Sequence, residues 1–117
     1  MAEAHRAIRQ REIVGELNRR IRGIILQFVT EQERSRPAGP RHTARTLMGL
    51  LRRLLFDVVL ADVIEELRFL ERRGYVEFET IRDDETRRLP EIGNVSLTDK
   101  GRDLIDGTSN DPSVALD

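Results

Sequence analysis

One stretch of the sequence, ADVIEELRFLERRGYVEFE at residues 61–79, joins a helical pattern directly to a strand pattern. Within it, Val63, Leu67 and Leu70 recur at the spacing of one face of an α-helix. Gly74 stands where such a helix ends in the left-handed conformation, and the residues after it alternate between two faces as in a β-strand. A helix placed in this way needs a sheet and a second helix to cover its leucines. The stretch therefore predicts a small layered domain.

Two further helices are predicted before this stretch. The first extends from about residue 8 to residue 33, and Pro37 and Pro40 end it because proline lacks an amide donor. Its apolar stripe consists of Ile13, Leu17, Ile21, Ile24, Ile25 and Phe28. Thr43 is a candidate N-cap for the second helix, which is predicted to end at about Leu55. The predicted buried face of this second helix comprises Leu47, Leu50, Leu51, Leu54 and Leu55.

The remainder of the chain predicts a hairpin and one short helix. Residues 75–81 and 94–98 are the expected strands, with a long charged loop between them, and residues 56–60 form a turn or a short strand. Thr98 is the expected N-cap of the last helix, and Gly101 lets that helix approach a strand closely. We expect one domain over residues 1–107, followed by a flexible acidic tail at residues 108–117.

Composition excludes several classes of function. The chain has 117 residues and no cysteine, so it contains no disulfide framework and no thiolate metal site. No apolar run is long enough for a membrane span, and the N-terminus lacks the apolar centre of a signal peptide, so we expect a cytoplasmic protein. Neither His5 nor His42 has a candidate nucleophile or a second metal ligand at the sequence spacing that a catalytic or metal site requires. The sequence therefore predicts neither an enzyme, nor a metal site, nor a cofactor.

Two motifs resemble those of a known superfamily. They are VIEELRFLERRGYVE at residues 63–77 and VSLTDKGRDLI at residues 95–105. Together they resemble the winged helix-turn-helix superfamily of MarR-, PadR- and ArsR-like regulators. The size of the chain and the spacing in LMGLLRRLLFDVVLADVIEELRFL are also similar to small winged-helix proteins of Mu-like phages and prophages. The resemblance implies an α+β, mainly helical fold with a three-helix core, a β-hairpin wing and a short C-terminal helix.

The resemblance also implies a DNA-binding transcriptional regulator. In such proteins the third helix enters a major groove and the wing contacts the adjacent backbone. The candidate contacts are basic residues at the start of the second helix, on the third helix and in the wing. They are Arg41, His42, Arg45, Arg68, Arg72, Arg82, Arg87 and Arg88.

The distribution of charge only partly favours this function. Residues 36–53 hold five arginines and no acid, which suits a phosphate backbone. Residues 57–73, by contrast, hold five acids and three arginines, and Asp62, Glu65 and Glu66 lie where a groove-reading helix would begin. Phosphate contacts are therefore expected from the segment around the start of the second helix.

An interaction module that does not bind DNA is the alternative. In a phage or prophage this module would be an assembly or accessory factor, and Phe69, Glu65 and Asp62 would form its docking surface. The long apolar stripe of the first helix predicts a homodimer through residues 5–30, with Ile8, Ile13, Leu17 and Ile21 at the interface. Such a dimer would present two third helices to duplex DNA. Both functions remain open at the level of sequence, because a fold does not by itself determine function.

Overall fold

The computed structural model describes residues 2–82 and 89–116, with the side chains of residues 15–80 and 89–116. The elements in chain order are α1 (Ala2–Ser35), α2 (Ala44–Arg53), α3 (Leu60–Arg72), β1 (Val76–Arg82), β2 (Glu91–Leu97) and α4 (Asp99–Ile105). The fold is therefore α+β, as predicted, and about half helical. No helix in the described part of the chain combines the length and the apolar character that a membrane crossing requires.

Threonine caps start two of the helices, as the sequence predicts. The Thr43 hydroxyl accepts a 3.1 Å hydrogen bond from the Thr46 amide, and the Thr46 hydroxyl accepts one of 2.7 Å from the Thr43 amide. At the start of α4, the Thr98 hydroxyl accepts a 3.0 Å hydrogen bond from the Gly101 amide. These bonds satisfy amides that have no partner within the helix. Both helix starts are thus fixed by local sequence.

The end of α3 has the geometry that Gly74 predicts. Gly74 has a φ of 81°, and its amide donates to the Glu71 carbonyl at 2.9 Å. The Tyr75 amide donates to the Leu70 carbonyl at 2.9 Å, which completes a left-handed helix terminus. The chain then enters β1 at Val76. This turn brings the buried face of α3 against the hairpin.

The end of α2 differs from the prediction. The helix stops at Arg53, residues 54–55 form a turn, and residues 56–59 are irregular. Of the turn or short strand expected at residues 56–60, the strand does not form, and Leu60 already belongs to α3. Leu54 and Leu55 were expected in the buried face, but their exposed fractions are 51% and 92%. Leu55 takes the left-handed conformation, with a φ of 68°, and its amide donates to the Arg52 carbonyl at 3.0 Å. This backbone reversal turns the last two leucines out of the core.

The two strands form an antiparallel hairpin. Their register shifts between Glu77 and Glu79, where β2 has an extra residue and Asn94 has a φ of 54°. The Val95 amide donates to the His42 carbonyl at 3.0 Å, in an isolated antiparallel bridge. This bridge attaches the segment just before α2 to the second strand of the hairpin.

The core lies between the three long helices and the base of the hairpin. Its largest fully buried members are Ile25, Leu26, Leu47, Leu51, Leu67, Leu70, Val29, Val63, Val76 and Val95. A Cβ atom at Gly101 would lie 2.3 Å from the Tyr75 carbonyl oxygen, so only glycine allows α4 to pack this closely. The predicted close approach of the last helix is therefore confirmed.

Residues 108–116 do not form the loose tail that the sequence predicts. We call this segment the C-terminal strap, because it lies back across the domain. The Tyr75 hydroxyl donates a 2.6 Å hydrogen bond to the Asp111 carboxylate, and Val114 is buried in the core. Arg73 lies 3.8 Å from the same carboxylate. Polar composition suggested a free tail, but these partners lie far away in the sequence and gave no local signal.

The strap also lies directly on α1. The Ala115 amide donates to the Arg19 carbonyl at 3.0 Å. A Cβ atom at Gly23 would lie 1.6 Å from the Ala115 carbonyl oxygen, which is a severe overlap. Gly23 therefore sits within the helix to let the strap approach, although glycine costs a helix about 1 kcal/mol relative to alanine.

Candidate nucleic-acid interface

The outer face of α2 is basic and exposed. Arg45, Arg52 and Arg53 are all solvent-exposed, and α2 contains no acidic residue. The Arg52 Nε donates to the Val58 carbonyl at 2.9 Å, so this side chain supports the turn that follows the helix. Within the described part of the chain, neither Arg45 nor Arg53 lies within ion-pair distance of a carboxylate. These two arginines can therefore contact a phosphate without breaking an ion pair first.

Arg45 is also close to the base of the hairpin. It lines a small cavity of about 160 Å³ together with Leu60, Pro90 and Ile92. The start of α2, the start of α3 and the beginning of β2 therefore meet around this arginine. Arg82, Arg87 and Arg88, the predicted wing contacts, have side chains outside the described residues.

The two predicted contacts before α2 are engaged within the protein. Arg41 donates to the Gln32 side chain at 3.2 Å and to the Pro37 carbonyl at 3.3 Å. Burial lowers the pKa of His42, and a hydrogen bond with the Phe28 backbone only partly opposes this effect. His42 therefore brings no positive charge to this surface at neutral pH. Of the predicted contacts near α2, Arg45 is the most accessible.

The outward face of α3 carries both charges. Arg68 and Arg72 are exposed, as the sequence predicts, and so are Asp62 and Glu65. The Asp62 carboxylate accepts a 2.9 Å hydrogen bond from the Val59 amide, so this acid caps the start of α3. An acid favours the positive end of the helix dipole, which gives Asp62 a structural role as well.

Glu66 is buried and paired, which the sequence does not reveal. Its exposed fraction is 7%, and it accepts a 2.5 Å hydrogen bond from the Arg22 Nε of α1. Burial raises the pKa of Glu66, and the ion pair with Arg22 opposes this rise. Glu66 therefore joins α3 to α1 and adds no free negative charge to the surface.

Phe69 does not form the exposed anchor that a docking surface on α3 would need. Its ring is half-buried, and the Arg22 guanidinium lies 3.6 Å from the ring centroid. The Arg73 guanidinium lies 5.1 Å from the same centroid. Such cation–π contacts stabilise a partly desolvated ring. Phe69 thus packs against two arginines of the protein itself, so it is not a free anchor for a partner.

A groove of about 400 Å³ separates α1 from the start of α3. Its apolar lining comes from Leu17, Ile21, Val58 and Phe69. Its charged lining consists of Arg22, Asp57, Asp62, Glu65, Glu66 and Arg72. Because Glu66 is paired with Arg22, the free charge comes from the other four, and acids predominate among them. We call this feature the acidic groove.

The predicted dimer stripe is divided by the fold. Leu17 is 41% exposed and remains available to a partner. Ile21, in contrast, is only 4% exposed and belongs to the core of its own domain, so its assignment to a dimer interface is wrong. The side chains of Ile8 and Ile13 lie outside the described residues. The change from exposed to buried positions along α1 therefore falls between Leu17 and Ile21.

No cluster of histidine, aspartate or glutamate among the described side chains has the arrangement of a metal site. Comparison with known proteins gives no match, whether with family models, curated proteins or solved structures. The geometry of the basic and acidic surfaces therefore carries the functional argument.

Proposed function

We propose that this chain is a winged-helix DNA-binding protein of the transcriptional-regulator type, and that it binds duplex DNA as a homodimer. The exposed arginines of α2, which lack carboxylate partners among the described residues, carry the proposal. A surface of this kind releases counterions from a phosphate backbone, which is the main source of affinity for DNA.

The order of elements supports a winged-helix assignment. Three helices are followed by an antiparallel hairpin, and α3 passes directly into its first strand. The bridge between His42 and Val95 attaches the entry to α2 to this hairpin. In a winged-helix protein, α2 would brace α3 against the duplex and the hairpin would contact the adjacent backbone.

Two groups of arginines would then have different roles. Arg45 and Arg53 of α2 would contact phosphates and position the protein without reading sequence. Arg68 and Arg72, exposed one turn apart on α3, would reach guanine edges and give a sequence preference. Asp62 and Glu65 would oppose deep entry of the start of α3, because they repel phosphates.

A polarisation titration of labelled duplexes tests the proposal. We expect binding at about 50 mM salt, with a clear loss of affinity at about 200 mM, because counterion release makes binding salt-dependent. The Arg102→Ala variant is the control and should bind like the wild type, since Arg102 lies on α4 and its side chain pairs with Asp99 at 2.7 Å. The proposal fails if the wild-type protein binds no duplex at about 50 mM salt.

Protein docking through the acidic side of α3 is the second candidate function. The acidic groove favours it, because acids around an apolar floor suit a basic partner better than they suit DNA. Phe69 contributes only to the floor of this groove, together with Glu65 and Asp62 at its charged edge. The two functions overlap at Arg72, which lines this groove and is also a proposed base contact, so a protein bound in the groove would compete with that contact.

A further inference from the structure

We propose that the acidic groove of one copy binds the basic N-terminal part of α1 from a second copy. This inference rests on the homodimer in the proposed function and specifies how that dimer forms. It also assigns the acids at the start of α3 to a protein contact, so that DNA binding depends mainly on α2.

α1 is much longer than the other helices. The helix has 34 residues, which corresponds to about 51 Å at 1.5 Å per residue. The first described side chain that is buried in the domain belongs to Ile21, and residues 15–20 are mostly exposed. A helical segment of this length without packing is marginal in water. A partner that packs on the N-terminal half of α1 would therefore stabilise it as a helix.

The groove offers an apolar floor with an acidic edge. Val58 and Phe69 lie at the floor, and Leu17 continues the apolar surface along α1. Asp57 and Glu65 contribute free negative charge, whereas Glu66 is neutralised by its pair with Arg22. A phosphate backbone is repelled by such an edge. A basic helix with an apolar stripe matches both the floor and the edge.

The N-terminal part of α1 has this chemistry. Residues 4–13, AHRAIRQREI, contain three arginines and one acid, Glu12. Ile8 and Ile13 supply apolar side chains close to these arginines in the sequence. The chain thus carries both an acidic groove and a basic segment, which favours a second copy over an unrelated basic peptide.

Antiparallel packing of two α1 helices satisfies both grooves at once. Along α1 the groove is bordered by Leu17, Asn18 and Arg22 of one copy, so residues 4–13 of the other copy would lie beside them. The two helices then cross near Gly15. A Cβ atom at Gly15 would have no neighbour within 4 Å in a single copy. Glycine is unfavourable in a helix, and a close helix crossing provides a reason for it here.

A charge-exchange experiment on the full chain tests this arrangement. Sedimentation velocity over a concentration series measures the dissociation constant of the dimer. Glu65→Arg and Arg9→Glu should each weaken the dimer about tenfold or more, because each places like charges together. The double variant should recover most of the lost affinity. Circular dichroism confirms that each variant is folded. Glu65 can take either charge, because it is exposed and has no hydrogen-bond or ion-pair partner among the described residues.

Two results would overturn the arrangement. One is a wild-type chain that stays monomeric at every concentration tested. The other is a dimer that does not follow the charge-exchange pattern, either because neither single variant weakens it or because the double variant recovers no affinity. A different dimer interface would give this result.

Gly15→Ala gives an independent test. In a monomer this change should only stabilise α1, since the added methyl group meets nothing. At a close crossing it should weaken the dimer instead. Gly49→Ala is the control, because Gly49 also lies in a helix with open space around it. A dimer unchanged or strengthened by Gly15→Ala contradicts a crossing at this residue.

The DNA titration remains separate from these measurements. A dimer that follows the charge-exchange pattern but binds no duplex overturns the proposed DNA function alone. Duplex binding by a chain whose dimer ignores both single variants overturns the groove assignment alone.

Discussion

The Tyr75 hydroxyl donates a 2.6 Å hydrogen bond to the Asp111 carboxylate, across 36 positions of the sequence. Burial and this bond raise the pKa of Tyr75 to about 12. Burial alone would raise the pKa of Asp111, but hydrogen bonds from Ser113 and Tyr75 outweigh it and lower the pKa to about 2. The contact therefore stabilises the fold only while Tyr75 is protonated and Asp111 is ionised.

We predict that the free energy of unfolding falls at acidic pH and that Asp111 accounts for most of this fall. Because its folded pKa lies below the ordinary value of 3.8, its contribution is present above about pH 4 and is lost as the pH falls towards 2. The free energy of unfolding should fall by an amount on the order of 2 kcal/mol over this pH range. In the Asp111→Asn variant most of this pH dependence should be absent. Urea unfolding between about pH 2 and pH 7 measures this, with exposed Asp103→Asn as the control.

The alkaline side gives the complementary measurement. The raised pKa of Tyr75 means that its contribution is complete below about pH 10 and is lost as the pH rises towards 12. Tyr75→Phe should therefore flatten the alkaline profile. Acid profiles that are identical in the wild type and Asp111→Asn would contradict the role given to this pair.

Gly23→Ala should release the C-terminal strap. The new methyl group would overlap the Ala115 carbonyl, which lies 1.6 Å from its position, so the strap must move away. Stability should fall, although alanine stabilises an ordinary helix by about 1 kcal/mol relative to glycine. Carboxypeptidase should then trim the C-terminus much faster than in the wild type. Equal trimming rates in the two proteins would show that the strap does not depend on Gly23.

Leu55→Gly should stabilise the protein. Leu55 has a φ of 68° and is almost fully exposed, so it loses little packing and gains relief from an unfavourable backbone conformation. The expected gain is about 1 kcal/mol, because the left-handed conformation costs a non-glycine residue about that much. Chemical unfolding measures the change. Leu54→Gly is the control. Leu54 has a φ of −86°, which leucine adopts without strain, so glycine at this position should destabilise the protein.

Replacement of Arg45 and Arg68 should separate two kinds of DNA contact. Arg45→Ala should weaken binding to all duplexes alike and reduce the salt slope by about one. Arg68→Ala should instead reduce the difference between preferred and random duplexes, because a base contact is lost. Polarisation titrations at several salt concentrations distinguish the two. A uniform loss from Arg68→Ala would place this arginine on the backbone.

Local sequence predicted the two threonine caps, the Gly74 turn and the close approach at Gly101 correctly. Thr43, Thr98, Gly74 and Gly101 act within a few residues of their own positions, or through the absence of a side chain, so their roles can be inferred from short patterns. The predicted exposure of Arg68 on α3 also followed from helical spacing.

Contacts between distant segments were not predictable in this way. Glu66 looks like any surface acid, and only the packing of α3 against α1 places it on Arg22. The predicted buried face of α2 failed at Leu55 because helical spacing applies only while the helix continues. Ile21 followed the same stripe as Leu17, but the spacing cannot show where along a long helix the domain begins.

The strap also determines the order in which the chain can fold. The hydrogen bond from Arg22 to the Ser113 carbonyl joins residues 91 positions apart, so closing this loop costs more entropy than any local contact. Two of its anchors, Tyr75 and Arg22, are brought together only after α1 and α3 have packed. We therefore expect the helices and the hairpin to assemble first and the strap to dock last, on a surface that is already formed.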